Sequence, residues 1–154
     1  MSLKLKKLRK LFGLFTGRIL PKTRSYNFAG IEHFSFSYSV GNWSNAKVCY
    51  NLQLKDGEYT ATVKQKGVAE EDADTFAVSA EFAKELEDIL IANNVEKWNG
   101  FQKSDLRVLD GYDFDLYIKN QTGQSLSAMG YMVWPKNYKS VKEALNDLFM
   151  KLYA

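Results

Sequence analysis

The chain has 154 residues, 45% hydrophobic and 25% charged, which is the size and balance of a single globular domain. Its one cysteine, Cys49, excludes an internal disulfide framework and a Cys-rich zinc site, and its one histidine, His33, leaves little room for a His-centred triad. The net charge of +3 divides unevenly: residues 1–24 carry eight bases and no acid, whereas the remainder holds thirteen bases against eighteen acids, a net −5.

The basic segment is a unit of its own. LKLKKLRKLFGLFTGRIL begins like a secretory signal, but Arg18 interrupts its apolar stretch and no small-residue cleavage site follows. At a helical 100° per residue, Leu5, Leu8, Leu11, Phe12, Phe15 and Ile19 fall on one arc about 120° wide, with Lys6, Lys7, Arg9, Lys10 and Arg18 across from it. This pattern predicts a basic amphipathic helix, weakened by Gly13 and Gly17 and stopped before Pro21. Three destinations suit such an arm: the acidic body of its own domain, an anionic membrane surface, or the groove of a protein partner. Nucleic acid is not expected, because the aromatic side chains sit on the apolar arc and are not interleaved with the bases. No run of roughly eighteen apolar residues occurs, so nothing is expected to span a membrane. The predicted location is the cytoplasm, with the arm able to hold the protein peripherally at a membrane.

From residue 25 onward a single α+β domain is predicted. EHFSFSYSV alternates Phe34, Phe36, Tyr38 and Val40 against His33, Ser35, Ser37 and Ser39, the pattern of a half-buried strand. GNWSN reads as a turn with Trp43 at its tip, and AKVCYNLQL follows with Val48, Tyr50, Leu52 and Leu54 on one side. Asp56-Gly57 signals a hairpin into EYTATVKQ, and TFAVS suggests a short fourth strand. The period then lengthens in SAEFAKELEDILIANN, a helix capped by Ser79 and ended by Asn93-Asn94. YDFDLYIKN and SLSAMGYMVW give two further strands, the second closed by Pro135, and SVKEALNDLFMKLY gives a last helix capped by Ser140. The order predicts an antiparallel sheet with both helices on one face.

The acids of VLDGYDFDLY pose the main chemical question. With Tyr112, Phe114, Leu116 and Ile118 turned to the core, Asp113, Asp115 and Tyr117 must face the other way, and Asp110-Gly111 is the turn before them. Carboxylates two residues apart on a strand lie about 6–7 Å apart, a spacing that also suits an acid/base pair. A calcium loop is excluded because no glutamate stands where its last ligand belongs. Solvation is therefore the simpler reading of this pair, as it is for the acidic loop Glu70, Glu71, Asp72 and Asp74. No phosphate loop, dinucleotide fingerprint or zinc spacing occurs, so no cofactor or metal is expected. His33, Ser35, Ser37, Ser39, Cys49, Asn51, Thr60, Thr62, Asp113, Asp115, Tyr117, Ser125, Ser127, Met129 and Tyr131 should share one polar sheet face. Trp43, Tyr117 and Tyr131 would be its natural anchors for a partner.

VEKWNGF, VLDGYDFDLYI and GYMVWPKNY, in that order before a terminal helix, resemble a group of small bacterial proteins. Their shared features are a Trp-x-Gly-Phe, an Asp-Gly-aromatic strand and a Pro-x-Asn-Tyr ending, matched here over residues 31–154. The resemblance implies a bacterial source and a compact α+β domain. It implies no activity, because the group has no established catalytic or binding residues. Some of its members begin with an export or lipoprotein signal, from which the basic arm of this chain departs. The expected function is a non-enzymatic binding or adaptor domain. Two other classes stay open: a metal-dependent or acid/base hydrolase using Asp113 and Asp115, and an immunity-type protein that binds its partner through the polar sheet face.

Overall fold

The computed structural model describes residues 25–154, so the amphipathic arm, with Leu5, Lys6, Lys7, Leu8, Arg9, Lys10, Phe12, Phe15 and Ile19, lies outside the described residues. Seven strands run β1 (Ile31–Ser39), β2 (Lys47–Lys55), β3 (Glu58–Lys64), β4 (Asp74–Val78), β5 (Gln102–Ser104), β6 (Asp113–Asn120) and β7 (Ser125–Tyr131). Helix α1 (Ala80–Ala92) lies between β4 and β5, and helix α2 (Tyr138–Met150) follows β7. The strands form one sheet in the order β4-β3-β2-β1-β6-β7-β5. All pairings are antiparallel except β5 with β7. The expected α+β class is therefore observed among these residues.

Local chemistry explains the elements. Asp56 and Gly57 both adopt positive φ, 53° and 79°, which gives the two-residue β2–β3 turn a backbone twist that matches its strands. Ser79 accepts a hydrogen bond from the Phe82 amide at 3.3 Å and caps α1, as the sequence predicts. Helix α2 begins two residues before the expected cap at Ser140. Asn137 takes the left-handed conformation at φ 67° and its carbonyl receives the Val141 amide, the first bond of the helix. Its side chain, instead of capping α2, donates to the Asn93 carbonyl at the end of α1 and ties the two helix ends together.

The two-residue period places Phe34, Phe36, Tyr50, Leu52, Phe114, Leu116 and Ile118 under the helices. Phe149 of α2 is the focus of this layer. It is fully buried, stacked on Tyr50 at 4.6 Å, edge-on to Phe82 of α1 at 5.3 Å and 6.1 Å from Phe34. Asn146, its neighbour on α2, accepts both the Tyr38 and Tyr50 hydroxyls, at 2.8 and 2.6 Å. Trp98, in a short 3₁₀ turn after α1, lies edge-on to Phe114 and donates its indole N–H to the Lys136 carbonyl at 2.9 Å. Gly100 follows at φ 80°, the tight reversal its position suggested.

The second strand of the final pair stops at Tyr131, short of the expected closure at Pro135. Met132 takes a positive φ of 57°, and Gly130 runs so close to the Val133 carbonyl and the Phe114 ring that a Cβ there would overlap both. The chain thus turns off the sheet before Trp134. Replacement Phe149→Ala should lower unfolding free energy by about 3–5 kcal/mol, because three ring contacts vanish into a cavity. Urea unfolding followed by circular dichroism measures this, and a loss below about 1 kcal/mol would show that the helix layer does not depend on that ring.

Candidate functional site: the open face of the sheet

Both helices pack on one side of the sheet, and the described residues place no helix on the other. The registers assemble that second face in straight rows. Thr75, Thr62, Asn51, Ser35, Tyr117 and Ser127 form one row across six strands. Lys64, Cys49, Ser37, Asp115, Met129 and Gln102 form the next. Ala77, Thr60, Gln53, His33, Lys119 and Ser125 form the row on the far side of the first. Ser39, Asp113 and Tyr131 lie beyond Asp115. Alternation along the strands was enough to put the predicted polar residues on one face; the rows come from the pairing order.

Asp113 and Asp115 remain neighbours on β6, whereas His33 stands apart from them. His33 is four residues from Ser37, the partner of Asp115, so about 13 Å of strand lies between the histidine and that carboxylate. His33 instead has its ring 5.8 Å from that of Tyr117. Asp113 Oδ2 pairs with Lys47 Nζ at 3.2 Å, across the end of β1, while its backbone amide donates to the Ser39 hydroxyl at 2.8 Å. Its Oδ1 is sealed from solvent and meets no donor among the described residues. Asp115 stands exposed between Ser37 and Met129. No group of three or more His, Cys, Asp or Glu side chains is placed to hold a metal among the described residues.

Cys49 is half-buried beside Lys64. Burial, with Glu70 adding, pushes its thiol up, and Lys64 and Lys47 offset this only in part. The raised value keeps it a thiol and not a thiolate near neutral pH, so it is a poor nucleophile. The Lys64 ammonium beside it is buried and donates to the Lys47 carbonyl at 2.6 Å.

The three anchor candidates divide. Tyr117 is 38% exposed, and Met129, one row away on the adjacent strand, is 44% exposed. They are diagonal neighbours, within reach of one another on the bare face. Trp43 is exposed in the β1–β2 loop at one end of the sheet, where its ring lies against Gly41. Tyr131 is not a free anchor. Its hydroxyl accepts from the Gly111 amide and donates to the Val108 carbonyl, both at 2.8 Å, and so fastens the loop that precedes β6. Its aromatic character in the sequence could not reveal that use.

Asn27 meets the domain at the C-terminal end of β6. Asn120, fully buried, donates to the Asn27 carbonyl at 2.8 Å and accepts from Thr122 and Gln124 in the β6–β7 turn. Burial, with Tyr117 adding, pushes the Tyr26 phenol up to about 12. The root of the arm is thus pinned at the Tyr117 end of β6.

Compared with known proteins, the chain matches no protein family and no curated sequence. Trp98, Gly100 and Asn137 have the packing, turn and helix-tying roles described above. Replacement Tyr131→Phe should strip protection from the Gly111 amide in hydrogen exchange while the β1, β2 and β6 amides keep theirs. The expected cost in global stability is about 1–3 kcal/mol, that of one orphaned amide. Unchanged exchange at Gly111 would show that the hydroxyl does not hold the loop.

Proposed function

We propose that this chain is a non-enzymatic binding domain, an adaptor, that takes a protein partner on the open face of its sheet. One observation supports this reading above the others: seven strands wide, the face carries Tyr117 and Met129 side by side on a ground of hydroxyls, with no helix of the described residues against it. Seven strands spaced about 4.8 Å apart and about seven residues long give a surface on the order of 700 Å², close to the ~800 Å² that one partner buries in a stable interface. Hydroxyl-bearing side chains adapt their hydrogen bonds to a partner, while an exposed ring and a thioether supply buried area. His33 stands away from Asp113 and Asp115, and Asp113 is engaged by Lys47, which weighs against a hydrolytic reading.

The arm has a second role in this reading. Its eight bases suit an anionic membrane surface, at about 1 kcal/mol for each base near the lipid. Leu5, Leu8, Phe12, Phe15 and Ile19 then insert, and Lys6, Lys7, Arg9 and Lys10 meet the phosphates.

Two experiments test these statements separately. A photo-crosslinking amino acid at position 117, expressed in bacterial cells, should give discrete protein adducts that the same group at Glu81 of α1 does not give. Equal labelling from both sites, or none from either, would remove the sheet face as the interface. Sedimentation with vesicles of mixed neutral and anionic lipid should carry the full chain at low salt but leave a chain beginning at Asn27 in solution. Equal sedimentation of the two would overturn the role of the arm.

A further inference from the structure

The end of the sheet away from Asn27 contains a cleft of about 380 Å³, between the end of β1, the start of β6, Trp134 and the first two turns of α2. That volume falls within the ~300–1,000 Å³ typical of small-molecule sites. Four rings line it: Tyr38, Tyr112, Trp134 and Tyr138. Tyr138 is anchored from behind by Phe114 at 4.8 Å, with Trp134 6.1 Å from it. Tyr112 and Trp134 stand at the surface, 47% and 41% exposed, although both are large enough to anchor a core. Two exposed rings on one concavity are flat apolar area left for something to cover.

Two of the three charged side chains that line the cleft are basic, Lys139 and Lys142, and the third is Asp113. Lys142 Nζ lies 5.1 Å above the Tyr38 ring, and no carboxylate pairs with it among the described residues. The first 24 residues contain no acid that could do so. Lys139 reaches Glu143 only at 3.8 Å, with both side chains largely in solvent. Both lysines stand near the N-terminus of α2, whose first turn has no acidic residue and where the helix dipole disfavours a cation. The one carboxylate of the cleft, Asp113, is already engaged by Lys47.

We propose that this cleft binds a small aromatic anion, its ring system lying against Trp134 and Tyr112 and its carboxylate or phosphate held by Lys139 and Lys142. A cation would find the rings attractive but would face two lysines. An aliphatic anion would meet the lysines and leave the rings uncovered. The site shares Ser39 and Asp113 with the edge of the open face and lies at the other end of β6 from Asn27.

The test is a titration of the full, ¹⁵N-labelled chain with 1-naphthoate, indole-3-acetate and phenyl phosphate, each beside an uncharged counterpart such as 1-naphthamide. The expected result is saturable shifts at Ser39, Val40, Tyr112, Lys139 and the Trp134 indole N–H. At least one acid should bind about ten-fold more tightly than its neutral counterpart. Lys142→Gln combined with Lys139→Gln should abolish that preference yet leave the dispersion of the spectrum intact, and Trp134→Ala should weaken acid and neutral compound alike. No shifts at millimolar concentrations of any acid, equal binding of acid and neutral forms, or shifts confined to other surfaces would each overturn the proposal.

Discussion

Alternation along the central strands governs most of what this molecule is. Apart from an irregularity between Ile31 and His33, β1, β2 and β6 send every second side chain, almost all aromatic or aliphatic, to one side, and two helices of thirteen residues apiece suffice to cover that side. Phe149 joins the two layers, since it touches strand residues 34 and 50 and reaches Phe82 on the other helix. A shift of register by one residue would send serines into that contact and phenylalanines into water, so the pairing is fixed by the same pattern that makes the core. The bare second face follows from this arrangement. Once both helices are committed to the apolar side, the described residues offer no third layer for the serines, threonines and Tyr117.

Buried polar groups then set the ends of the sheet. Asn120 is fully enclosed, yet its side chain meets the Asn27 carbonyl, the Gln124 side chain, and the amides of Thr122 and Gln124. Leaving any of these unpaired in a dry site would cost about 1–3 kcal/mol, so the turn and the root of the arm are held by one residue. Glu87 does similar work on α1, where its carboxylate accepts the Gly30 amide at 2.9 Å just before β1 begins. Both ties secure the first strand, which lies in the middle of the sheet although it comes first in the chain.

Much of this was legible in the sequence, and the exceptions have physical causes. The period-two runs, Asp56-Gly57 and Ser79 announced strands, turn and cap because each depends on its immediate neighbours. β5 went unforeseen because its Gln102, Lys103 and Ser104 are all exposed and carry no apolar pattern; only its parallel pairing with β7 makes it a strand. The start of α2 was misplaced because Asn137 serves through a left-handed backbone, with its side chain spent on Asn93, whereas Ser140 merely looked like a cap. Tyr131 read as an exposed anchor because a hydroxyl holding Gly111 and Val108 is a tertiary fact. The aromatic cleft was invisible for the same reason. Its walls come from residues near 38, 112, 134 and 140, and its lysines look like ordinary solvated charges on a helix.

The central claim is that the second face of the sheet is free to receive a partner. Hydroxyl-radical footprinting of the full chain reads this directly, with Met150 at the end of α2, 37% exposed, as an internal reference. The account predicts that Met129 and Tyr117 oxidise in proportion to their exposure, Met129 at a rate near that of Met150. Protection of Met129 and Tyr117 in the full chain, relieved when residues 1–24 are removed, would contradict it: the face would then be occupied by the chain's own basic arm.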